Sequence, residues 1–354
     1  MSSGSVDGEE ILFDSVKGIG YVLLNRPKAL NALTHNMCVR LDERLQAWAA
    51  APDIKAVVIE GAGEKAFCAG GDIRVVHDSG KGDGVEARRF FADEYVMNAR
   101  LAHFPKPYIA LLDGIVMGGG VGVSVHGSHR IVTERTLFAM PETGIGLIPD
   151  VGGSYFMPRL PGELGMYFGL TGVRLKAADT LYAEIGTHFV PSGKLPGLKK
   201  ALQDADIGNV KDVDAVLAQF TADPGEPTLP EIRTKIDRIF SAGSVEEIIA
   251  RLTDDGSEWA IKTRDGLLTK SPTSCKLTFR QLREGAKLDF NDGMRMEYRI
   301  VCRIMDGHDF FEGVRAVLID KDHAPKWKPA RLEDVSDAEI AKYFEPLGEN
   351  ELKL

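Results

Sequence analysis

The chain has 354 residues, which is enough for one large or two modest domains. Its apolar share of 44% and its charged share of 27% are those of an ordinary globular protein. The formal net charge of −9 argues against nucleic acid or an anionic membrane surface as a partner, because both bind basic surfaces. No uninterrupted apolar run is long enough to span a bilayer.

The four cysteines are scattered along the chain without a CxxC spacing. This pattern favours reduced thiols over disulfides or a metal site. The first ten residues contain neither a basic region followed by an apolar core nor an Arg-rich amphipathic pattern. We therefore expect no signal or transit peptide and a cytoplasmic location.

The first half of the chain alternates short apolar segments with helical patterns. Segments 11–16 and 20–24 flank Lys17-Gly18 and predict a β-hairpin. Further strands are predicted at 56–60, 107–112, 130–133 and 136–140, with helices from Thr34 to about Ala51 and over 87–103. Alternation of this kind, with glycine turns after several strands, predicts an α/β fold.

The second half of the chain, after about Gly162, is mostly helical by pattern. Residues 222–230 combine Pro, Gly and acidic side chains and are the best linker candidate. We therefore predict an α/β core over residues 1–222 and a mainly helical region over 223–354 that packs on it. Helices are predicted in that region near 231–240, 245–252, 258–268, 274–284, 294–305, 309–318 and 337–344.

Residues 139–153, AMPETGIGLIPDVGG, place two carboxylates, Glu142 and Asp150, in an otherwise apolar run. Each follows a proline and precedes a helix-like or glycine turn, so each could cap free backbone N–H groups. A carboxylate in an apolar run is otherwise held for chemistry, and a pair in different environments can divide the roles of nucleophile, base and acid.

Two glycine turns, CAGGD at 68–72 and MGGGVG at 117–122, each follow a strand and lead towards a helix. Glycine lets the backbone approach a ligand and turn its N–H groups outward. One N–H from each turn could polarise a single carbonyl oxygen, as in an oxyanion hole. Taken singly, either turn is more often only a tight turn.

Four stretches occur in a familiar order: LNRPKALNAL, AFCAGGDIR, DGIVMGGGVG and MPETGIGLIPDVGG. Together they resemble the crotonase (enoyl-CoA hydratase/isomerase) superfamily. The resemblance implies an α/β fold built as a spiral of ββα turns that binds acyl-CoA, with the N–H groups of Gly71 and Gly119 as the oxyanion hole. By position it implies CoA-binding or substrate-binding roles for Arg26, Lys28, Ala69 and Asp72; for Arg26 and Lys28 the alternative is that they are solvated loop charges.

One departure from the hydratase pattern narrows the expectation. Hydratases of this superfamily place a catalytic glutamate three residues after the middle glycine of the GGG run, and here that position is Gly122. The second hydratase glutamate is present as Glu142, while Asp150 stands where hydratases usually have glycine. These features, together with segments 91–99, 271–278 and 309–327, resemble the branch of the family that hydrolyses 3-hydroxyisobutyryl-CoA in valine catabolism.

The resemblance to this branch implies roles for Glu94, Gly119, Glu142 and Asp150. Glu142 would attack the thioester carbonyl to form a mixed anhydride, or else activate a water molecule. Asp150 would orient Glu142 or the water, or bind the 3-hydroxyl group of the substrate. Glu94 is a second candidate for that hydroxyl, and its alternative is a solvated helix carboxylate.

Hydrolysis of this kind requires no metal or redox cofactor, and the partner is a small-molecule acyl-CoA. Two other functions stay open: a hydratase or isomerase on the same fold that uses Glu142 with a different partner, and a non-catalytic acyl-CoA-binding protein. A homo-oligomer is possible, since trimers and their multiples are common in the superfamily.

Overall fold

The structure, a computed structural model, describes residues 9–354. The N-terminal segment on which the targeting prediction rests lies largely outside the described residues. The strands in chain order are β1 (Ile11–Val16), β2 (Ile19–Leu24), β3 (Ala56–Gly61), β4 (Ala66–Cys68), β5 (Tyr108–Leu112), β6 (Ile115–Met117), β7 (His129–Val132), β8 (Leu137–Ala139) and β9 (His188–Phe189).

These strands form two sheets. The larger has the order β1-β2-β3-β5-β7-β9, in which β1 and β2 form the predicted antiparallel hairpin and all later neighbours are parallel. The smaller is the parallel sheet β4-β6-β8. Each of its strands directly follows a strand of the larger sheet along the chain: β4 follows β3, β6 follows β5 and β8 follows β7. The chain thus repeats a pair of strands, one in each sheet, three times. The predicted α/β fold, a spiral of ββα turns, is therefore confirmed.

The described chain contains sixteen α-helical segments, and the first shows how sequence sets their ends. The side chain of Thr34 accepts a hydrogen bond from the N–H of Met37 at 3.2 Å, which caps α1. The helices are α1 (His35–Ala50), α2 (Ile73–Gly80), α3 (Val85–Ala102), α4 (Gly119–Gly122), α5 (Gly153–Phe156), α6 (Leu164–Thr171), α7 (Ala177–Tyr182), α8 (Leu195–Asp204), α9 (Val210–Leu217), α10 (Leu229–Phe240), α11 (Val245–Asp255), α12 (Glu258–Leu267), α13 (Pro272–Gly285), α14 (Phe290–Ile304), α15 (Asp309–Val314) and α16 (Asp337–Tyr343).

The helices after α9 lie against the α/β part of the chain. Helix α14 packs on α3, and α13 packs on α5 and α6. One cluster of buried apolar side chains runs through both regions, from Ile11 to Leu352. A smaller cluster joins the outer face of the large sheet to α8 and α9. Residues 221–227 carry no regular secondary structure, and the domain boundary at 222 stays a prediction.

No helix within residues 9–354 combines the length and the apolar character that crossing a bilayer requires. A short π-helix, Arg315–Ile319, continues α15. Its residue Val317 reaches the cavity described below, so the C-terminal region contributes directly to the candidate site.

Candidate active site

One cavity of about 340 Å³ collects most of the predicted site residues. It lies where the turns after β4, β6 and β8 meet helix α3. The predicted residues on its wall are Ala69, Gly71, Glu94, Gly119, Glu142 and Asp150. The fold therefore brings together side chains that lie up to 81 positions apart in sequence, between Ala69 and Asp150.

The two glycine turns touch at this cavity. A Cβ atom placed on Gly119 would lie 3.3 Å from the amide nitrogen of Gly71. Gly118, with φ of +48°, turns the chain from β6 into α4. Within the described chain neither the N–H of Gly71 nor that of Gly119 donates a hydrogen bond in these turns. Both N–H groups are thus free to bind a carbonyl oxygen, and the oxyanion hole stays a prediction.

Glu142 begins the short 3-10 segment Glu142–Ile145 that follows β8. Its side chain is only 5% exposed. Its Oε2 atom has no hydrogen-bond partner among the described residues. Burial, together with the charge of Asp150, raises the pKa of Glu142 well above its ordinary value. The geometry therefore favours a carboxylate held for chemistry over a helix cap.

Asp150 is likewise buried and is held by Tyr95 of α3. The phenolic O–H of Tyr95 donates to Oδ2 of Asp150 at 2.7 Å. Burial raises the pKa of Asp150 to about 6, although this hydrogen bond lowers it. Asp150 does not cap the short helix α5, whose first flanking residue is Gly152. Sequence reasoning missed Tyr95.

Glu94 precedes Tyr95 on α3, and it is 2% exposed. The interpretation of Glu94 as a solvated helix carboxylate is therefore wrong. Its Oε1 atom has no hydrogen-bond partner among the described residues and would lie 2.7 Å from a Cβ atom placed on Gly119. Burial and the charges of Asp150 and Glu297 raise the pKa of Glu94 well above its ordinary value. A side chain at position 119 would displace this carboxyl group.

A carboxylate from α14 fixes the turn that follows Asp150. Glu297 is fully buried and accepts hydrogen bonds from the N–H groups of Gly152 at 2.9 Å and Ser154 at 2.8 Å. The hydroxyl of Ser154 also donates to it. Burial raises the pKa of Glu297 to about 8, even though these three donors lower it. Sequence reasoning missed Glu297, whose one signal was an acidic residue on the apolar face of a helix.

Two further side chains hold the same segment. The amide of Gln281 donates to the carbonyl of Pro149 at 2.7 Å, and Nε2 of His126 donates to the carbonyl of Val151 at 2.7 Å. Val151 has φ of +52°, a left-handed conformation that a β-branched residue rarely adopts. The surrounding hydrogen bonds therefore hold a strained backbone directly beside Asp150.

The position of the absent hydratase glutamate is filled by packing. A Cβ atom on Gly122 would lie 2.7 Å from Cβ of Val151 and 2.8 Å from Nδ2 of Asn98. Real side chains do not approach so closely, so this site has no room for a glutamate. A close contact between two turns occupies the place where the hydratase pattern has a carboxylate.

The remaining predicted residues lie away from the cavity wall. The guanidinium of Arg26 pairs with Asp72 at 2.9 Å and with Glu10 at 3.2 Å, which leaves it less free for a phosphate group. Lys28 lies exposed on the 3-10 segment Pro27–Ala29. The ligand contacts of these residues and of Ala69 stay predictions.

Within residues 9–354 no group of three or more His, Cys, Asp or Glu side chains is arranged to hold a metal ion. All four cysteines are buried and free. The absence of a cofactor stays a prediction.

The family profile of enoyl-CoA hydratase/isomerase matches residues 19–344. The chain belongs to this family. It is 51% identical to "3-hydroxyisobutyryl-CoA hydrolase, mitochondrial" of Danio rerio over 98% of this chain and 92% of that protein. The protein of the same name from Homo sapiens is 47% identical over 100% of this chain and 93% of its own length.

Solved structures of the family superpose closely on this fold. A carnitinyl-CoA dehydratase from Mycobacterium thermoresistibile has a TM-score of 0.91 and 43% identity and covers 98% of both chains. An enoyl-CoA hydratase from Rhodobacter sphaeroides 2.4.1 has a TM-score of 0.90 and 38% identity, over 98% of this chain and 100% of its own.

The predicted cytoplasmic location is wrong, because the relatives most similar in sequence are named as mitochondrial proteins. That prediction used only the pattern of the first ten residues.

Proposed function

We propose that this protein hydrolyses 3-hydroxyisobutyryl-CoA to 3-hydroxyisobutyrate and CoA, a step of valine breakdown. The observation that carries the proposal is 47–51% identity, over nearly the whole length of both chains, to proteins named for that activity. The site supports it independently, since it pairs a buried glutamate with a buried aspartate and lacks the other hydratase glutamate.

The thioester carbonyl would lie between the N–H groups of Gly71 and Gly119. These groups are fixed by the fold before substrate binds, so they stabilise the negative charge that develops on the oxygen without reorganising. Truncation of one such donor in other enzymes costs roughly 10²–10³ in turnover. Both donors here are backbone groups, which no substitution of a side chain removes.

Glu142 supplies the base or the nucleophile. Its raised pKa makes the ionised carboxylate a stronger base than an ordinary one. Its Oε2 atom has no hydrogen-bond partner in the described part of the chain and is available for reaction. In one course it attacks the carbonyl carbon, CoA leaves as thiolate, and water then cleaves the anhydride. In the other it takes a proton from a water molecule that attacks directly. In both courses the net change is that one C–S bond breaks and one C–O bond forms, a proton from water goes to the CoA thiolate, and CoA thiol and a carboxylate are released.

Asp150 and Glu94 complete the site around the acyl group. Tyr95 orients Asp150 towards the cavity, where the aspartate can direct Glu142 or a water molecule. Glu94 offers a buried oxygen that has no hydrogen-bond partner within residues 9–354, which suits a hydrogen bond from the 3-hydroxyl of the substrate.

A hydratase or dehydratase activity is the second candidate, because two solved structures with 43% and 38% identity are described in those terms. The crowding at Gly122 argues against it, since the second glutamate of the hydratase pattern has no place there. A non-catalytic role would leave buried carboxylates in the cavity at an energetic cost that binding alone does not explain.

Thiol release from 3-hydroxyisobutyryl-CoA, set against loss of enoyl absorbance with crotonyl-CoA, separates these functions. We expect thiol release with the first ester and little change with the second. Glu142→Gln should lower turnover about 10²-fold or more while the circular dichroism spectrum stays the same. Near-wild-type turnover of that variant, or binding of the ester without any turnover by the natural chain, would refute the proposal.

A further inference from the structure

A second cavity, of about 260 Å³, adjoins the active-site cavity. It lies between the start of α1, helix α2 and the first turns of α3. The buried part of its lining is apolar and consists of Val76, Ala87 and Phe90, whereas its polar side chains are half-buried or exposed. The candidate catalytic carboxylates line the active-site cavity and not this one. The proposed reaction therefore leaves the second cavity without a role.

Phe90 is the only residue in the described part of the chain that lines both cavities. Its side chain is 5% exposed and reaches from α3 to the glycine turn after β4, where its Cζ atom lies 3.0 Å from a Cβ atom placed on Gly71. In that turn Gly71 and Ile73 line the active-site cavity, and Asp72 between them lines the second cavity. The ring of Phe90 and this turn therefore form the wall between the two cavities.

The acyl group of the proposed substrate would point at this wall. Glu94 lies one turn after Phe90 on α3, so the two side chains project from the same face of the helix. Both line the active-site cavity. A thioester with its carbonyl oxygen between the N–H groups of Gly71 and Gly119 and its 3-hydroxyl at Glu94 directs its acyl chain towards α3. Carbons added beyond that hydroxyl therefore meet α3, where the ring of Phe90 closes the cavity.

We propose that Phe90 sets the length of acyl chain that this protein accepts, because its ring closes the active-site cavity against the second cavity. The inference rests on the proposed function for the direction in which the substrate lies. A four-carbon acyl group leaves the ring in place, whereas a longer chain meets it. Removal of the ring joins cavities of about 340 and 260 Å³ and offers a longer chain the buried apolar surfaces of Val76 and Ala87.

A series of CoA esters tests this role: those of 3-hydroxyisobutyrate, 3-hydroxybutyrate, 3-hydroxyhexanoate and 3-hydroxyoctanoate. The variants are Phe90→Ala, which removes the ring completely, and Phe90→Leu, which removes less volume and so disturbs the fold less. Phe91→Ala and Phe91→Leu are the matched controls. Phe91 is the neighbouring buried phenylalanine of α3, and it lines the active-site cavity but not the second cavity.

Phe90→Ala should raise kcat/KM for the 3-hydroxyoctanoyl ester roughly tenfold or more, because the added carbons enter an apolar space that the ring had closed. Phe90→Leu should give a smaller rise, and the Phe91 variants should give none. A general loss of stability cannot imitate this result, since it lowers turnover of every ester. Equal use of short and long esters by the natural chain, no rise in either Phe90 variant, or the same rise in the Phe91 variants overturns the proposal.

Calorimetric binding of analogues that cannot be hydrolysed keeps this test separate from the proposed function. In these analogues of the four- and eight-carbon esters, a CH₂ group replaces the thioester sulfur. Phe90→Ala should bind the eight-carbon analogue roughly tenfold more tightly than the natural chain does, and the four-carbon analogue no more tightly. Absence of hydrolysis by the natural chain, with this shift in binding intact, would refute the proposed function alone. Equal affinity of the two proteins for the eight-carbon analogue would refute the role of Phe90 alone.

Discussion

At Glu142 the requirements of chemistry and of stability are opposed. Burial and the charge of Asp150 raise the pKa of this carboxyl group in the folded protein, so the fold binds its proton more tightly than the unfolded chain does. The stability that this group contributes is therefore fully present below the unfolded pKa of about 4.3 and is lost as pH rises through the folded value.

Glu142→Gln removes this titration, and so the variant should become more stable than the natural chain as pH rises. We expect the two melting temperatures to converge near pH 4 and the variant to melt about 2 °C higher near neutral pH. Thermal unfolding from pH 4 to pH 8 measures this. A difference between the two proteins that stays constant with pH would contradict the predicted sign.

Tyr95→Phe should change the pH dependence of turnover through Asp150. The phenol stabilises the ionised aspartate, so its loss raises the pKa of Asp150 above about 6. If hydrolysis needs ionised Asp150, the acidic limb of the kcat profile moves to higher pH. Tyr108→Phe is the control, because Tyr108 is also buried but donates to the carbonyl of Val123. An acidic limb of the kcat profile that stays at the same pH in Tyr95→Phe would contradict the prediction.

The sequence indicated the candidate reacting carboxylates better than it indicated the residues that position them. Glu142 and Asp150 were recognisable because carboxylates in an apolar run need an explanation. Tyr95 looks in sequence like any buried aromatic residue of a helix, and only the approach of α3 to the turn at Asp150 gives its hydroxyl a role. Glu94 shows the same limit, because its burial depends on a contact between distant elements.

Among the elements, α14 has a task beyond packing. Glu297→Ala would leave the N–H groups of Gly152 and Ser154 buried without an acceptor, at about 1–3 kcal/mol for each. We expect a loss of about 2–6 kcal/mol in the free energy of unfolding, together with a lower kcat, since the turn also positions Asp150.

Urea unfolding and steady-state kinetics measure both effects of Glu297→Ala. Glu297→Gln keeps one acceptor oxygen, so it should lose less stability than the alanine variant. Full kcat in a destabilised Glu297→Ala protein would show that the hydrogen bonds of Glu297 to the turn stabilise the fold without positioning Asp150.

The α4 turn contacts the turn after Asp150 at Gly122, so we expect Gly122→Ala to destabilise the protein. The added methyl group meets Val151 and Asn98 at under 3 Å, and overpacking of this kind costs about 1–3 kcal/mol. Gly266→Ala on α12 is the matched control. Nothing lies within 4 Å of its added methyl group, so this change should stabilise the helix by about 0.5–1 kcal/mol.

Chemical denaturation of both glycine variants reports the difference, and turnover of Gly122→Ala should fall because Val151 adjoins Asp150. Equal stability of the two variants would mean that the turns move apart easily.

The long elements were predictable, and so was the short strand β8, but the equally short β4 and β6 were not. Helix α3 has apolar residues at helical spacing, and strands β3 and β5 are largely continuous apolar runs. Strands β4 and β6 have three residues each and run directly into glycine turns, so their pattern is too short to separate from a turn. Their pairing exists only because the larger sheet places them side by side.

At the scale of the whole molecule, the helical region after residue 222 and the α/β part share one core. Phe290 of α14 packs on Tyr155 with ring centroids 5.3 Å apart and on His126 at 4.7 Å. Together with Gln281 and Glu297, these contacts hold the turn that carries Asp150 from outside the α/β part.

A fragment of residues 1–222 should therefore lack cooperative unfolding and near-ultraviolet circular dichroism, because it loses one wall of its core. The full chain is the control. A cooperative thermal transition of the fragment would instead show that the α/β part folds alone. Assembly into a homo-oligomer stays a prediction, and sedimentation of the full chain addresses it.

The close contact at Gly122 also constrains how such a chain can change its chemistry. A glutamate cannot enter at this position until volume is lost at Val151 or Asn98, and loss of that volume first leaves a void beside Asp150. Whichever substitution comes first, the intermediate sequence thus has a lower folding stability than the natural chain. On this fold, a chain with the hydrolase pattern therefore cannot acquire the second hydratase glutamate by single substitutions without first losing stability, and the size of that loss is set by packing at Gly122.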